Sequence, residues 1–290
     1  MKTLILSGFG TNCERETAHA CHRAGAPVER VHVRHINEIY RDEGRGGLRL
    51  EDYGFLILIG GFLDGDDLGG ARACANRFRY RRMPDSGTFL ERLHGFVDGG
   101  RLVLGICNGF QLLVKLGLLP GDGGSEDAGA AGHAPAGDGA RPSVTLTTNA
   151  NGRFEDRWVH LRADAASPCV FTRGVEMLEL PVRHGEGRVL GGAPQTLAGL
   201  VERHQVPLRY ALPEGTPTEA YPANPNGSPH GIAALCTPGG TVMGLMPHPE
   251  AFNHFTNHPR WTRRPAPASA AEEDGDGLRL FRNAYAYLRG

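Results

Sequence analysis

The segment 101–115 constrains the fold of this chain more than any other part of the sequence. The apolar run Leu102–Ile106 predicts a buried strand, and the apolar spacing after Gly109 predicts a helix. Cys107 lies in the turn between them, and Gly105 and Gly109 stand two positions away on either side. A sharp strand–turn–helix of this kind is typical of a nucleophile elbow, because bulky side chains at the two flanking positions would clash.

The sulfur of Cys107 can be interpreted in two ways. Most free cysteines are small buried apolar residues with no chemical role. In an elbow, however, the sulfur stands at a helix N-terminus, where the helix dipole and the free N–H groups favour the thiolate over the thiol. The flanking glycines and the strand and helix on either side therefore favour Cys107 as a nucleophile.

Composition excludes several classes of function. The chain has 290 residues, which is enough for one large α/β domain or two small ones, and its formal net charge is -1. No cluster of Lys and Arg indicates a nucleic-acid partner or an anionic membrane, and the short basic run 77–82 is interpreted as a solvated helix face or a partner contact. No apolar run approaches the roughly 20 residues of a membrane helix, and the N-terminus has a strand pattern instead of that of a signal peptide.

The six cysteines are scattered without CxxC pairs. In a chain of this length, that pattern predicts reduced thiols and a cytoplasmic location, and it argues against a disulfide scaffold and against a zinc site.

Strand and helix patterns alternate up to about residue 121. Strands are predicted at 4–6, 28–33, 55–59 and 102–106, and helices at 14–24, 89–97 and after the elbow. This alternation predicts an α/β fold with a doubly wound, mostly parallel sheet flanked by helices, in which sites lie at the carboxyl ends of the strands. Glycine-rich segments fall at three of those ends, at 8–12, 60–62 and 105–109.

The second half of the chain has a different pattern. The segment at about 121–142 is rich in Gly, Ala and Asp and predicts a flexible insert. Short β-like runs follow at 144–148, 177–182, 232–235 and 242–246. We expect a single domain over 1–262, a mobile linker over 263–277, where prolines, small residues and acidic residues collect, and a C-terminal helix over 278–290.

A catalytic thiolate in amide chemistry needs a base and a group that orients the base. His248 follows an apolar strand directly and lies between Pro247 and Pro249, and Glu250 is placed to turn its carboxylate toward the imidazole. An oxyanion hole needs two N–H groups, for which we expect Asn108, the residue after the nucleophile, and the glycine turn 60–62.

Together these segments resemble class I glutamine amidotransferases, which have a flavodoxin-like α/β fold. The resemblance is strongest to the glutaminase subunits of phosphoribosylformylglycinamidine synthase and covers roughly 1–121 and 144–262. It is carried by the segments 8–17, 60–67, 104–113, 117–121, 151–154, 180–187, 221–228 and 244–250.

The resemblance implies a catalytic triad of Cys107, His248 and Glu250 acting on the side-chain amide of glutamine. It implies an oxyanion site near Gly61, Phe62 and Asn108. It further implies that Gln111, His184 and Glu186 lie near the substrate glutamine.

The resemblance also implies how the chain works with other subunits. Members of this family pass ammonia to a larger synthetase subunit, often with a small bridging subunit, and the whole enzyme converts formylglycinamide ribonucleotide to formylglycinamidine ribonucleotide in purine biosynthesis. ATP and magnesium are used by the synthetase partner. This chain has no phosphate loop, and we expect it to bind no cofactor and no metal.

Three alternatives stay open at this level. The chain could be a class I amidotransferase subunit of another pathway, with the same chemistry and a different acceptor. It could be a catalytically silent homologue with a regulatory role, which the intact Cys107, His248 and Glu250 argue against. A redox or chaperone protein of related fold also uses a cysteine elbow, and the segment 248–250 disfavours it.

Overall fold

The computed structural model describes residues 1–35, 49–83, 87–121, 143–193, 195–269 and 272–290. The strands in this part of the chain are β1 (Lys2–Ser7), β2 (Val28–His32), β3 (Tyr53–Leu58), β4 (Leu102–Ile106), β5 (Val144–Thr147), β6 (Glu155–Ala163), β7 (Met177–His184), β8 (Arg188–Gly191), β9 (Leu208–Ala211), β10 (Ala234–Cys236) and β11 (Val242–Leu245). The α-helices are α1 (Glu14–Arg23), α2 (Arg72–Tyr80), α3 (Phe89–Asp98), α4 (Asn108–Leu116), α5 (Thr196–Glu202) and α6 (Leu278–Arg289).

The main sheet has six strands in the order β10-β11-β4-β3-β1-β2. Every neighbouring pair is parallel except β10 and β11. This confirms the doubly wound, mostly parallel α/β sheet. The chain adds β2 on one side of β1 and then β3 on the other, so the direction of winding reverses between β1 and β3. Sites in open α/β sheets lie at such switch points.

The sequence of each central strand explains its position. All residues of β3 and β4 are buried, as expected for parallel strands that are covered on both faces. Helix α4 packs on β3, β4 and β11, and α2 packs on α4 and α3. Helix α1 packs on β1, β2 and α6. The helices therefore cover the sheet and leave its carboxyl edge for loops.

The predicted helices begin and end close to their expected positions. Helix α3 starts at a capping box, in which Thr88 accepts from the N–H of Glu91 and the Glu91 carboxylate accepts from the N–H of Thr88. Helix α4 ends at Gly117, which has a φ of 80° and forms a left-handed C-cap.

Two smaller antiparallel sheets lie in the second half of the chain, with the strand orders β7-β6-β9 and β5-β8. Strands β6, β8 and β9 were not among the predicted runs. The three-stranded sheet meets the main sheet beside the end of β11, where the N–H of His248 donates to the carbonyl oxygen of Pro181 at 2.8 Å. This contact places the end of β7 next to the carboxyl edge of the main sheet.

The basic run 77–82 includes the end of α2, a helix that the sequence analysis did not delimit. The inner face of α2 buries Cys74, Ala75 and Phe78. Arg77 pairs with Asp64 at 3.1 Å, and Arg79 donates to the carbonyl oxygen of Lys115 at 2.7 Å. These two arginines therefore tie α2 to neighbouring segments, which a purely solvated face would not do.

The predicted insert at about 121–142 lies outside the described residues, apart from Gly121. In the segment 263–277, the carboxylate of Asp274 pairs with Arg23 at 3.0 Å and also with Arg282, and the carboxylate of Asp276 accepts from the N–H of Glu179 at 2.9 Å. These contacts fasten the C-terminal end of the segment to the body of the fold. The division into a domain, a mobile linker and a closing helix stays a prediction.

None of the helices in the described ranges combines the length and apolar character that crossing a bilayer requires.

Candidate active site

The site lies at the carboxyl ends of four neighbouring strands of the main sheet. The loops after β1, β3, β4 and β11 meet at the carboxyl edge, and they enclose a cavity of about 450 Å³ together with the end of β7. Of the residues that the sequence and the resemblance indicated, eight line this cavity: Cys107, His248, Glu250, Gly61, Phe62, Gln111, His184 and Glu186. Asn108 does not line it.

Cys107 has the strained backbone expected of an elbow. Its φ is 51° and its ψ is -104°, and it directly precedes the first residue of α4. Positive φ is rare for a residue with a side chain and is held only by the surrounding structure. A Cβ atom on Gly105 would lie 2.6 Å from the carbonyl oxygen of Gly109, and one on Gly109 would lie 1.9 Å from that of Leu58. The predicted reason for both glycines is therefore confirmed.

Cys107 is only 6% exposed and lines the cavity. Its sulfur lies 3.8 Å from the carbonyl oxygen of Arg183, which accepts a weak hydrogen bond. The backbone N–H of Cys107 donates to the carbonyl oxygen of Leu245 at 2.8 Å, and this bond fixes the elbow against the end of β11.

His248 and Glu250 form a buried pair beside the thiol. Nδ1 of His248 donates to Oε1 of Glu250 at 2.6 Å. Burial alone would lower the pKa of His248, but the charge on Glu250 and the interaction with Cys107 raise this pKa well above its ordinary value. Burial alone would raise the pKa of Glu250, and the charge on His248 lowers it instead. The pair therefore holds an imidazolium against a carboxylate.

The second ring nitrogen of His248 is free to act. Within the described residues, Nε2 is buried and makes no hydrogen bond. The ring packs over Gly60, where a Cβ atom would lie 2.9 Å from Cε1 of His248 and 3.5 Å from Cβ of Cys107. Glycine at position 60 thus leaves room for the imidazole beside the cysteine.

The glycine turn corrects one expectation about the oxyanion hole. The N–H of Phe62 donates to the carbonyl oxygen of Gly10 at 2.8 Å, so in this structure it does not point to an oxyanion. This bond belongs to a β-bridge between Thr11 and Gly61, which pairs the loops after β1 and β3. Gly61 has a φ of 130° and lines the cavity. Of the two residues expected to contribute an N–H from this turn, Gly61 therefore remains the candidate donor.

The side chain of Asn108 is a buried support beneath the cavity. Its amide nitrogen donates to the carboxylate of Asp66 at 2.9 Å and to Oε1 of Gln111 at 2.8 Å, and its oxygen accepts from the N–H of Leu63 at 3.2 Å. Because Asn108 is the first residue of α4, its own N–H has no partner within the helix. That N–H stays a candidate oxyanion donor.

Gln111 extends this hydrogen-bond network from Asn108 to the part of the cavity wall that contains Glu186. Its Nε2 donates to the carbonyl oxygen of Glu186 at 2.7 Å, and the Glu186 carboxylate accepts from the N–H of Gly70 at 3.1 Å. Gln111 is therefore committed to protein contacts and positions the wall of the cavity that contains Glu186.

His184 lies at the end of β7 and is buried. Burial, followed by the charge on His248, lowers the pKa of His184 to about 3, so the ring is neutral. Its Nδ1 donates to Oδ1 of Asn149 at 3.2 Å, and no partner of Nε2 is found within the described ranges.

Several residues that line the cavity were missed by the sequence analysis. Cys13 follows the loop after β1, and burial raises its thiol pKa to about 11. Arg183 is the one Lys or Arg among the lining residues, whereas the acidic members number five: Glu16, Asp66, Asp156, Glu186 and Glu250. The glycine-rich loop 8–12 could have indicated Cys13, because this loop follows β1, the strand next to β3 in the main sheet.

Comparisons with known proteins agree with this geometry. The CobB/CobQ-like glutamine amidotransferase domain matches residues 1–288. The phosphoribosylformylglycinamidine synthase subunit PurQ of Dehalococcoides mccartyi is 40% identical over 100% of this chain and 98% of its own length. The subunit of the same name from Methanococcus maripaludis strain C7 is 35% identical over 99% of this chain and 97% of its own length.

A solved structure is also similar over the whole length. It is a chain of PurLQS from Thermotoga maritima, with a TM-score of 0.63 and 25% sequence identity over 99% of this chain and 98% of that one. The chain therefore belongs to the CobB/CobQ-like glutamine amidotransferase family, in the group that contains the PurQ subunits of phosphoribosylformylglycinamidine synthase.

Proposed function

We propose that this chain is the glutaminase subunit of a phosphoribosylformylglycinamidine synthase, and that it releases ammonia from glutamine through a thioester on Cys107. The observation that carries the mechanism is the strained Cys107 facing a cavity beside the 2.6 Å His248–Glu250 pair. Nucleophile, base and orienting carboxylate are the three parts that covalent amide chemistry needs. The names of the full-length relatives support the pathway.

In the first step, the Cys107 thiolate attacks the side-chain amide carbon of glutamine, and the amide oxygen becomes an oxyanion. The N–H groups of Gly61 and Asn108 are the donors that would stabilise it. Close backbone packing at Gly105 and Gly109 fixes the elbow, so the sulfur of Cys107 and the N–H of Asn108 are held in position before substrate binds.

In the second step, the tetrahedral intermediate collapses. His248 gives the proton on Nε2 to the departing nitrogen, ammonia leaves, and a γ-glutamyl thioester remains on Cys107. The deprotonated imidazole then takes a proton from water, the hydroxyl attacks the thioester, and glutamate and the thiolate are released. Glu250 holds Nδ1–H throughout and stabilises the imidazolium.

The charges of the cavity fit a free amino acid. Glutamine carries one carboxylate and one ammonium on its α-carbon, and the described residues that line the cavity include one arginine, Arg183, and five acidic residues. Arg183 is the group that would pair with the α-carboxylate, and Glu186 or Asp66 would receive the ammonium.

We further propose that the ammonia passes to a synthetase subunit, with a small bridging subunit in the complex, and that ATP and magnesium are used by that synthetase. The similarity to a chain of PurLQS supports such an assembly. The chain itself would need no cofactor for the steps above. All six cysteines are free, which supports a reducing compartment such as the cytoplasm.

Trapping the covalent intermediate tests the mechanism. The chain is mixed with glutamine, quenched in acid and digested, and the γ-glutamyl group is located by mass spectrometry. We expect it on the peptide that contains Cys107 and its absence in Cys107→Ser, which retains the other cavity thiol, Cys13. Modification of Cys13, or no modification in a protein that turns over glutamine, would overturn the proposed nucleophile.

A further inference from the structure

Cys13 is a buried cavity thiol for which the proposed mechanism has no use. It is 6% exposed, and its sulfur lies 3.9 Å from Nδ1 of His248 while donating to Oδ1 of Asn12 at 3.1 Å. The sulfur therefore approaches the same ring nitrogen that Glu250 binds. Nε2, the other ring nitrogen, has no hydrogen bond within the described residues.

Glu250 carries a free acceptor at this place. Its Oε1 binds His248, but its Oε2 is buried and has no hydrogen bond in the described part of the chain. A buried carboxylate oxygen without a partner is costly, and an ion or a water molecule usually explains it. This atom points to a ligand at the Nδ1 side of the imidazole.

We propose that Cys13, His248 and Glu250 form a zinc site, whose occupation stops the glutaminase reaction. The ligand atoms of the three residues lie within 4.8 Å of one another. A tetrahedral zinc ion, with sulfur at about 2.3 Å and nitrogen and oxygen at about 2.0–2.2 Å, needs ligand atoms roughly 3.3–3.7 Å apart. Small movements of the three side chains meet that requirement.

The donor set selects the metal. A thiolate, an imidazole and a carboxylate suit zinc, whereas magnesium and calcium prefer oxygen ligands alone. The thiol proton of Cys13 and the Nδ1 proton of His248 leave to solvent when the ion binds. All three residues line the cavity, so an ion can enter from the substrate side. Because residues 13 and 248 are 235 positions apart, no local cysteine spacing predicts this cluster.

The zinc ion would inhibit glutamine hydrolysis because it would bind Nδ1 of His248. Zinc on Nδ1 removes the Glu250 hydrogen bond and leaves the remaining ring proton on Nε2. The ring then cannot accept a proton from water or from the Cys107 thiol. This consequence rests on the proposed function, but the binding of zinc does not.

The experiment uses the full chain, stripped of metal by a chelator. Zinc binding is measured by competition with a chromophoric chelator, and cobalt is used as a spectroscopic probe of thiolate coordination. Cys13→Ser removes the proposed sulfur ligand, and Cys107→Ser is the matched control that removes the other cavity thiol. Glutamate release with and without zinc is compared as a ratio within wild type and Cys13→Ser.

We expect one zinc ion per chain in wild type and in Cys107→Ser, with thiolate-to-cobalt absorption in both. Cys13→Ser should bind zinc at least about tenfold more weakly, because the loss of an outer-shell partner alone costs that much. The zinc concentration that halves the glutaminase activity should rise by the same factor.

Equal zinc affinity in wild type and Cys13→Ser would overturn the site. Loss of the cobalt thiolate absorption in Cys107→Ser would do the same, and that result does not depend on how Cys13→Ser folds. If zinc binds as expected but the wild-type chain hydrolyses no glutamine even without zinc, the zinc site stands and the proposed function fails.

Discussion

The imidazole of His248 packs over the backbone of Gly60 so closely that a Cβ atom at position 60 would lie 2.9 Å from its Cε1. Gly60 does not have a positive φ, so alanine fits the backbone and conflicts only with the ring. We expect Gly60→Ala to displace His248 and to lower kcat/KM for glutamine about 10²-fold, with the fold retained. Steady-state kinetics and thermal unfolding measure the two effects.

Gly95→Ala is the matched control for that variant. Gly95 lies within α3, and a Cβ atom there would meet no atom of the described residues within 4 Å. We expect unchanged kinetics and a gain of about 0.5–1 kcal/mol in the free energy of unfolding, because alanine favours a helix interior over glycine. Equal activity of Gly60→Ala and Gly95→Ala would contradict the role given to the space at position 60.

Glu250→Gln tests the buried charge beside His248. The amide keeps the size of the side chain but loses the negative charge that stabilises the imidazolium, and it can present the wrong group to Nδ1. We expect kcat for glutamine hydrolysis to fall between about 10²-fold and 10⁴-fold. A kcat within threefold of wild type would show that Glu250 does not orient the base.

Arg183→Gln tests substrate recognition. Loss of a charge-assisted hydrogen bond of about 1.5–3 kcal/mol should raise KM for glutamine at least about tenfold, with a smaller effect on kcat. Arg153→Gln, at an exposed arginine that does not line the cavity, should leave KM unchanged. The same KM in both variants would remove Arg183 from the proposed carboxylate site.

His184 should make the stability of the chain depend on pH. Its pKa is about 3 in the folded protein and about 6.5 when unfolded, so the unfolded state binds the extra proton as pH falls through 6.5. When the pH falls from 7 to 5, the free energy of unfolding should therefore decrease by about 2 kcal/mol because of His184.

Urea unfolding at several pH values measures this effect, and His184→Gln should lose about 2 kcal/mol less than wild type over the same interval. The charge on His248, which is the second cause of the low pKa of His184, is present in both proteins. Parallel stability curves for the two proteins would contradict the low pKa of His184.

The sequence predicted the elbow well because its evidence is local. The strand Leu102–Ile106, the two glycines and the following helix lie within one short segment, and the same spacing that predicts them also produces the strained Cys107. The donor in the oxyanion turn could not be predicted in this way. Whether Phe62 offers its N–H depends on the bridge between Thr11 and Gly61, which joins two segments distant in sequence.

One glycine of the segment 263–277 has a packing role that its composition does not reveal. Gly277, in the segment interpreted as a linker, would place a Cβ atom 1.8 Å from the carbonyl oxygen of Pro249. Glycine is needed there because two backbones approach closely. Likewise, the basic run 77–82 was interpreted as a solvated helix face or a partner contact, and α2, to which most of this run belongs, also has an inner face formed by Cys74, Ala75 and Phe78.

The most direct test of the central claim compares wild type with Cys107→Ala in the complex with its synthetase and bridging subunits. Formation of formylglycinamidine ribonucleotide is measured with ATP and acceptor nucleotide, first with glutamine and then with ammonium as the nitrogen source. We predict that Cys107→Ala abolishes the glutamine-dependent reaction and leaves the ammonium-dependent reaction intact. Retained use of glutamine by Cys107→Ala would contradict a thioester on Cys107, and loss of both reactions would mean that Cys107 is structural.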